Sequence, residues 1–302
     1  MEESIKKYLQ ELAEKYEVPK FTEQDPSQFL RWYKVELPDS IADVECASLI
    51  AAMLAFGNRR QFIPKIQGIL AQADKETGSI SKWLKQGVFR KKFPTGSQKF
   101  YRFYSFTDMQ LFFEEISQIL QTSPNLGDYF CSRFFKIKEG EVSPSLPSQV
   151  AMQSAPTESD GSHRFVGLSA TPSAGGNSPR NAPLKFNSNA EIISFCFAQA
   201  FPNSAIVPKG KASANKRIHM FLRWMVRQNS PVDLGLWSWY NPADLLIPLD
   251  VHVMQESIKL GLLPANATAS YRTAQLLTKQ MEQAFPNDPC RADFALFGLG
   301  VN

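Results

Sequence analysis

Apolar positions recur along this chain mainly at three- and four-residue spacing, the period of a helix with one buried face. Residues 3–16 carry Ile5, Leu9 and Leu12 on one face, and residues 41–56, IADVECASLIAAMLAF, are apolar almost all round. Residues 107–121 open on a Thr–Asp pair suited to a helix N-cap, and 189–200 run NAEIISFCFAQA. Further helices are expected over 214–228, 250–262, 269–284 and 289–298, the last stopped by glycine. Alternating patterns bounded by hairpin turns are almost absent, so the expected fold class is all-α. Residues 139–183 break the pattern: nine Ser, six Pro and five Gly make up 20 of the 45, with little that can fill a core. They read as a linker or disordered insertion. It divides an N-terminal helical lobe, 1–138, from a C-terminal lobe, 184–302, with a cleft between them.

Composition narrows the class. At 302 residues, with 43% hydrophobic and 21% charged, the chain has the make-up of a globular protein with a sizeable core. It holds no run of about 18 apolar residues, so no membrane-spanning helix is expected. The charged, helix-periodic start does not read as a secretory signal. Cys46, Cys131, Cys196 and Cys290 lie far apart without a CxxC pair, and the three histidines share no metal-ligand spacing. No metal, cluster or other cofactor is expected, and scattered thiols suit a reducing cytoplasm.

The net charge of +4 hides an uneven distribution. Residues 77–107 hold no acid but seven bases (Lys82, Lys85, Arg90, Lys91, Lys92, Lys99 and Arg102), interleaved with eight aromatics. Residues 203–232 again hold no acid, and carry Lys209, Lys211, Lys216, Arg217, Arg223 and Arg227. Two such blocks in a chain otherwise net negative suggest a surface for the phosphate backbone of a nucleic acid, with Lys91, Lys92, Lys99 and Arg102 as contacts. A solvated helix face with core aromatics is the plainer alternative.

Two segments carry candidate chemistry. In VPKGKASANKRIHMFLRWMVR, residues 207–227, Pro208, Gly210 and Ser213 form a turn and N-cap, so that Lys216 falls in the first helical turn. The helix dipole and Arg217 beside it both favour a neutral, nucleophilic amine there. In IPLDVHVMQESIKLGL, residues 247–262, Asp250 is placed as N-cap, a role compatible with facing a cation in a cleft.

The run Asp250-Val251-His252-Val253 followed by Leu260-Gly261-Leu262 resembles the D-x-H-V…LGL segment of helix-hairpin-helix DNA glycosylases. The ending from Ala295 to Gly300 is similar to the last helix of that superfamily. Archaeal 8-oxoguanine DNA glycosylases, with a comparably wide lysine–aspartate separation, are the nearest likeness. The LRWMVR and IPLD segments are also similar to a bacterial family catalogued mainly as a domain of unknown function. The likeness covers about residues 205–300. It implies two helical lobes around a cleft, and a glycosylase with AP lyase activity that removes an oxidised base, such as 8-oxoguanine, from double-stranded DNA near the nucleoid. Lys216 would be the nucleophile, with Lys211 or Lys209 as alternatives, and Asp250 the stabilising carboxylate. Lys209, Gly210, Lys211, Ser213, Arg217 and His252 would meet the DNA, and Phe221, Trp224, Trp237 and Trp239 would wall the extruded base. The cysteine cluster of one branch is missing, so no iron–sulfur cluster is implied. A non-catalytic DNA- or RNA-binding protein that keeps the glycosylase fold is the alternative.

Overall fold

The computed structural model describes residues 1–35, 38–140 and 185–301. The expected linker over 139–183 lies outside them apart from Glu139 and Gly140. The described residues are mostly helical: α1 (Glu3–Tyr16), α2 (Pro38–Leu54), α3 (Arg59–Thr77), α4 (Ile80–Lys85), then the hairpin β1 (Lys99–Tyr101) and β2 (Tyr104–Ser105). They continue with α5 (Phe106–Thr122), α6 (Leu126–Lys138), α7 (Asn189–Ala200), α8 (Lys216–Val226), α9 (Val251–Lys259), α10 (Tyr271–Met281) and α11 (Ala292–Val301). Among the described residues no helix is long and apolar enough to cross a membrane.

The all-round apolar stretch forms α2, in which residues 49–54 are fully buried. It packs against α3, α4, α6 and α8. Its one acidic residue in the core, Glu45, accepts the Leu126 N–H (2.7 Å), the Gly127 N–H (3.1 Å) and the Trp237 indole N–H (2.7 Å). One carboxylate thus caps the start of α6 and fixes a tryptophan from the other half of the sequence. The cap of α5 is a step earlier than the Thr–Asp pair indicates. Ser105 and Asp108 form a reciprocal capping box, so the helix begins directly from β2. Helices α3, α4 and α6 were not singled out by periodicity; α3 carries Pro64 in its interior, which interrupts the signal.

The first and last helices lie together, α1 along α11, and α9 packs on α11 as well. The glycines of the FGLG ending do not stop α11, which runs through them to Val301. They are notches. A Cβ on Gly298 would stand 2.3 Å from the Tyr16 ring, and one on Gly300 would stand 2.9 Å from the His252 Cβ. Gly298→Ala is therefore expected to lower stability by about 1–3 kcal/mol, because Tyr16 must leave its place between two helices. Urea melts of the two proteins measure this. Equal midpoints would mean that α1 tolerates the displacement.

Candidate functional site

The loop before α8 is held from both sides. The Ser213 N–H and the Asn215 side-chain amide both donate to the Gly210 carbonyl, at 3.1 and 3.0 Å. On the other side, the Tyr271 N–H donates to Ala212 O at 2.9 Å, and Ser213 bridges to Ser270. The N-cap is Asn215, not Ser213. It adopts a left-handed φ of 43°, a region asparagine tolerates better than most residues, and its side chain makes no capping bond.

This geometry sends successive side chains in different directions. Lys216, the first residue of α8, donates from Nζ to Asp250 Oδ2 at 2.9 Å. The other oxygen, Asp250 Oδ1, accepts the Val253 N–H at 2.8 Å, so Asp250 caps α9 and faces the lysine at once. Lys216 remains 34% exposed and Asp250 14%. Arg217 turns away: it donates to Met53 O and, at 3.2 Å, to the Tyr104 hydroxyl, and covers the Phe56 ring at 5.1 Å. Its guanidinium ties α8 to α2 and the hairpin.

Lys216 and Asp250 line a cavity of about 180 Å³. Met220 and Trp224, one and two turns along α8, form one wall, and Phe294 and Phe297 of α11 form another. His252 stands at the same cavity, edge-on to Phe297 at 6.3 Å, and the Arg59 guanidinium lies over the same Phe297 ring at 5.4 Å. A second carboxylate, Asp293 in the first turn of α11, also lines it. Burial pushes the Asp293 carboxyl up to about 6, against the pull of Arg223, while the nearby Asp250 charge adds to the rise. Asp293, Met220, Arg59 and Phe297 were not read from the sequence. Met220 is signalled only by its helical spacing from Lys216, Asp293 and Phe297 only by their place in the terminal helix, and Arg59, at the start of α3, by nothing local.

The other expected contacts are distributed differently. Trp224 lines the cavity, with its buried indole N–H lacking a partner. Phe221 and Trp237 do not: they are core residues, edge to face at 5.3 Å, and Trp237 stacks on Trp239 at 5.4 Å. Lys209 donates to three carbonyls, Phe201 O, Pro202 O and Ser204 O, at 2.7–2.9 Å, so its amine closes the end of α7. Burial there lowers its pKa. Arg223 and Arg227 are buried among Asp233, Asp288, Asp293 and Glu17. In the second basic block Lys211 is exposed and Lys216 faces the cavity, while Lys209 is exposed with its ammonium held by the three carbonyls.

In the first block Lys91, Lys92, Lys99 and Arg102 are exposed, while Trp83, Phe89, Phe93, Tyr101 and Tyr104 are core. Arg102 lies against Gly57 on the cavity rim, at the hairpin tip with a φ of 52°. Beside it Phe103 is 65% exposed, edge-on to Tyr104 at 4.6 Å. Lys92 lines a separate shallow pocket with Phe93, Phe100 and Phe106. Among the described residues no group of three or more His, Cys, Asp or Glu is gathered to hold a metal ion.

The family model described as a protein of unknown function (DUF2400) matches residues 25–180 and 181–302. The chain belongs to this family. No curated protein and no solved structure matches it. In this DUF2400 chain the two matched stretches meet at the site, since Arg59 comes from the first, and Lys216 and Asp250 from the second.

One further group in α8 makes stability depend on pH. His219 is fully buried with neither ring nitrogen bonded, and burial lowers its pKa to about 4. The folded pKa lies below the unfolded one. The contribution is therefore intact above about pH 6.5 and is lost as pH falls through 4, to a limit of about 3 kcal/mol. His219→Leu is expected to flatten the acid side of the stability profile between these pH values. Parallel wild-type and variant profiles would exclude His219 as the cause.

Proposed function

We propose that this chain is a DNA glycosylase with AP lyase activity, acting on an oxidised base, most simply a purine of the 8-oxoguanine type, in double-stranded DNA. The observation that carries the reading is the 2.9 Å contact of Lys216 Nζ with Asp250 Oδ2 at a cavity of base size. A cavity of about 150 Å³ takes up benzene, so about 180 Å³ with aromatic walls suits one extruded base. Trp224, as an unpartnered donor, and Asp293, as an acceptor, are polar groups of a mixed lining that also holds Arg59, Arg223 and His252 beside its aromatic rings.

The chemistry follows from the pair. Lys216 must lose one proton before it attacks, and Asp250 is the group already accepting its hydrogen bond. The freed amine attacks the sugar C1′, the bond from C1′ to the base nitrogen breaks, and the departing base takes up the proton. As the proton passes on to the departing base, the Asp250 charge is restored and stabilises the cationic sugar. Opening of the ring leaves a protonated Schiff base on Lys216. Loss of a C2′ proton then expels the 3′ phosphate by β-elimination. Arg102 and the exposed Phe103 at the rim are the side chains available to hold a displaced strand.

Borohydride trapping on duplexes bearing different lesions, beginning with 8-oxoguanine, tests the proposal. A covalent adduct supports it, and the lesion that traps best defines the substrate. Salt-sensitive DNA binding without adduct or base release would favour the non-catalytic binding protein.

A further inference from the structure

A second cavity, of about 320 Å³, opens on the other side of the α8 N-terminus. Asn215 lines this cavity and the next residue, Lys216, lines the first. Its walls are mostly apolar and ring-bearing: Phe186 and Phe195, with centroids 5.4 Å apart, Ala198 and Tyr271. Two oxygens on its lining residues are buried without a hydrogen-bond partner, Ser194 Oγ and Asn215 Oδ1. Asn215 is 7% exposed, so water does not satisfy it from outside. Unsatisfied buried oxygens in a native fold call for a partner, and an amide oxygen accepts only from a donor.

The rim has the opposite chemistry. Lys185 and Lys211 stand exposed, and neither forms an ion pair among the described residues. The uncapped N–H groups of α8 add positive potential at the same edge. The one acid on the lining, Glu191, already accepts the Asn187 N–H at 2.8 Å. A ligand that fits must combine a flat ring, N–H donors and an anionic end.

We propose that this cavity binds a nucleoside phosphate, with its base against the aromatic walls, base N–H groups on Asn215 Oδ1 and Ser194 Oγ, and its phosphate at Lys211 and Lys185. The proposal goes beyond the glycosylase reading and does not require Lys216 to react. The nucleotide is either free or an unpaired unit of a nucleic-acid strand, and the test separates the two.

The full chain is titrated with a fluorescent aminopurine deoxynucleoside monophosphate, and separately with a short single strand carrying the same base. Stacking in the cavity quenches the probe. Ser194→Leu and Ala198→Phe fill the cavity from two positions on α7, and either is expected to abolish quenching with the helical signal unchanged. Lys211→Gln is expected to weaken binding several-fold and to reduce the salt slope for the strand by roughly 0.7. Lys216→Gln is expected to leave it unchanged. Quenching of the monophosphate identifies a free nucleotide, and quenching of the strand alone identifies an unpaired one. No quenching with either probe overturns the proposal. Quenching that survives both cavity-filling variants, or that is lost with Lys216→Gln instead, also overturns it. Failure of borohydride trapping leaves this result untouched.

Discussion

Lys216→Gln is expected to abolish the borohydride-trapped adduct and to slow strand cleavage by at least about a thousandfold, as removal of a covalent nucleophile does. The fold should survive. Lys216 is one-third exposed, so its ion pair with Asp250 contributes little to stability once solvent screening is counted. Glutamine is one atom shorter but keeps an uncharged N–H donor on the side of Asp250, and the Val253 N–H still holds the carboxylate where α9 needs it. Gel analysis of trapped complexes reads the outcome directly. An adduct that persists undiminished would remove Lys216 from the mechanism. Lys211 would then be the amine to replace next, since the Lys209 ammonium is committed to three carbonyls.

Asp250→Asn is expected to cut the rate of base release by about a hundred- to ten-thousandfold while barely changing the melting temperature. The separation follows from the two oxygens. Asparagine caps a helix as well as aspartate does, so the bond from the Val253 N–H to the side-chain oxygen is retained. What disappears is the negative charge opposite Lys216, and with it the proton acceptor and the counter-charge for a cationic sugar. Asp250→Ala removes both functions and should cost about 1 kcal/mol of stability in addition. Single-turnover base release beside thermal melts of the three proteins separates the roles. If Asn and Ala lose stability and activity in parallel, Asp250 is a cap and nothing more.

The lysine–aspartate pair was legible because both residues occupy helix starts, and helix starts are written locally: Asp250 before an amphipathic run, Lys216 after a turn. The walls of the cavity were not legible. Phe221 and Trp237 are as aromatic as Trp224 and Phe297, and only the packing of α8 on α2 and the seating of Arg223 on Phe294 of α11 decide which rings face the cavity. Charge was misleading for a related reason. The acid-free stretch 203–232 looks like an exposed positive surface, yet Arg227 finds Glu17 across 210 positions and Arg223 finds Asp293 across 70. A basic block in sequence is a basic patch only where no distant acid folds onto it. Helix α3 shows the converse: Pro64 obscures its period, although eighteen neighbours follow the helical path.

The pairing of α1 with α11 bears on the order in which the site comes into being. Residues at opposite ends of the described chain touch, as in the bond from the Gln10 amide to Ala284 O across 274 positions. Contacts of such high contact order carry a large loop-closure cost and form late in folding. During synthesis Lys216 and Asp250 leave the ribosome well before Asp293 and Phe297 do. A nascent chain that ends short of α11 holds the amine and the carboxylate but not the far wall that encloses them. The Lys216–Asp250 pair acquires its enclosure only when α11 docks, so premature release of the chain yields a product without the walled cavity.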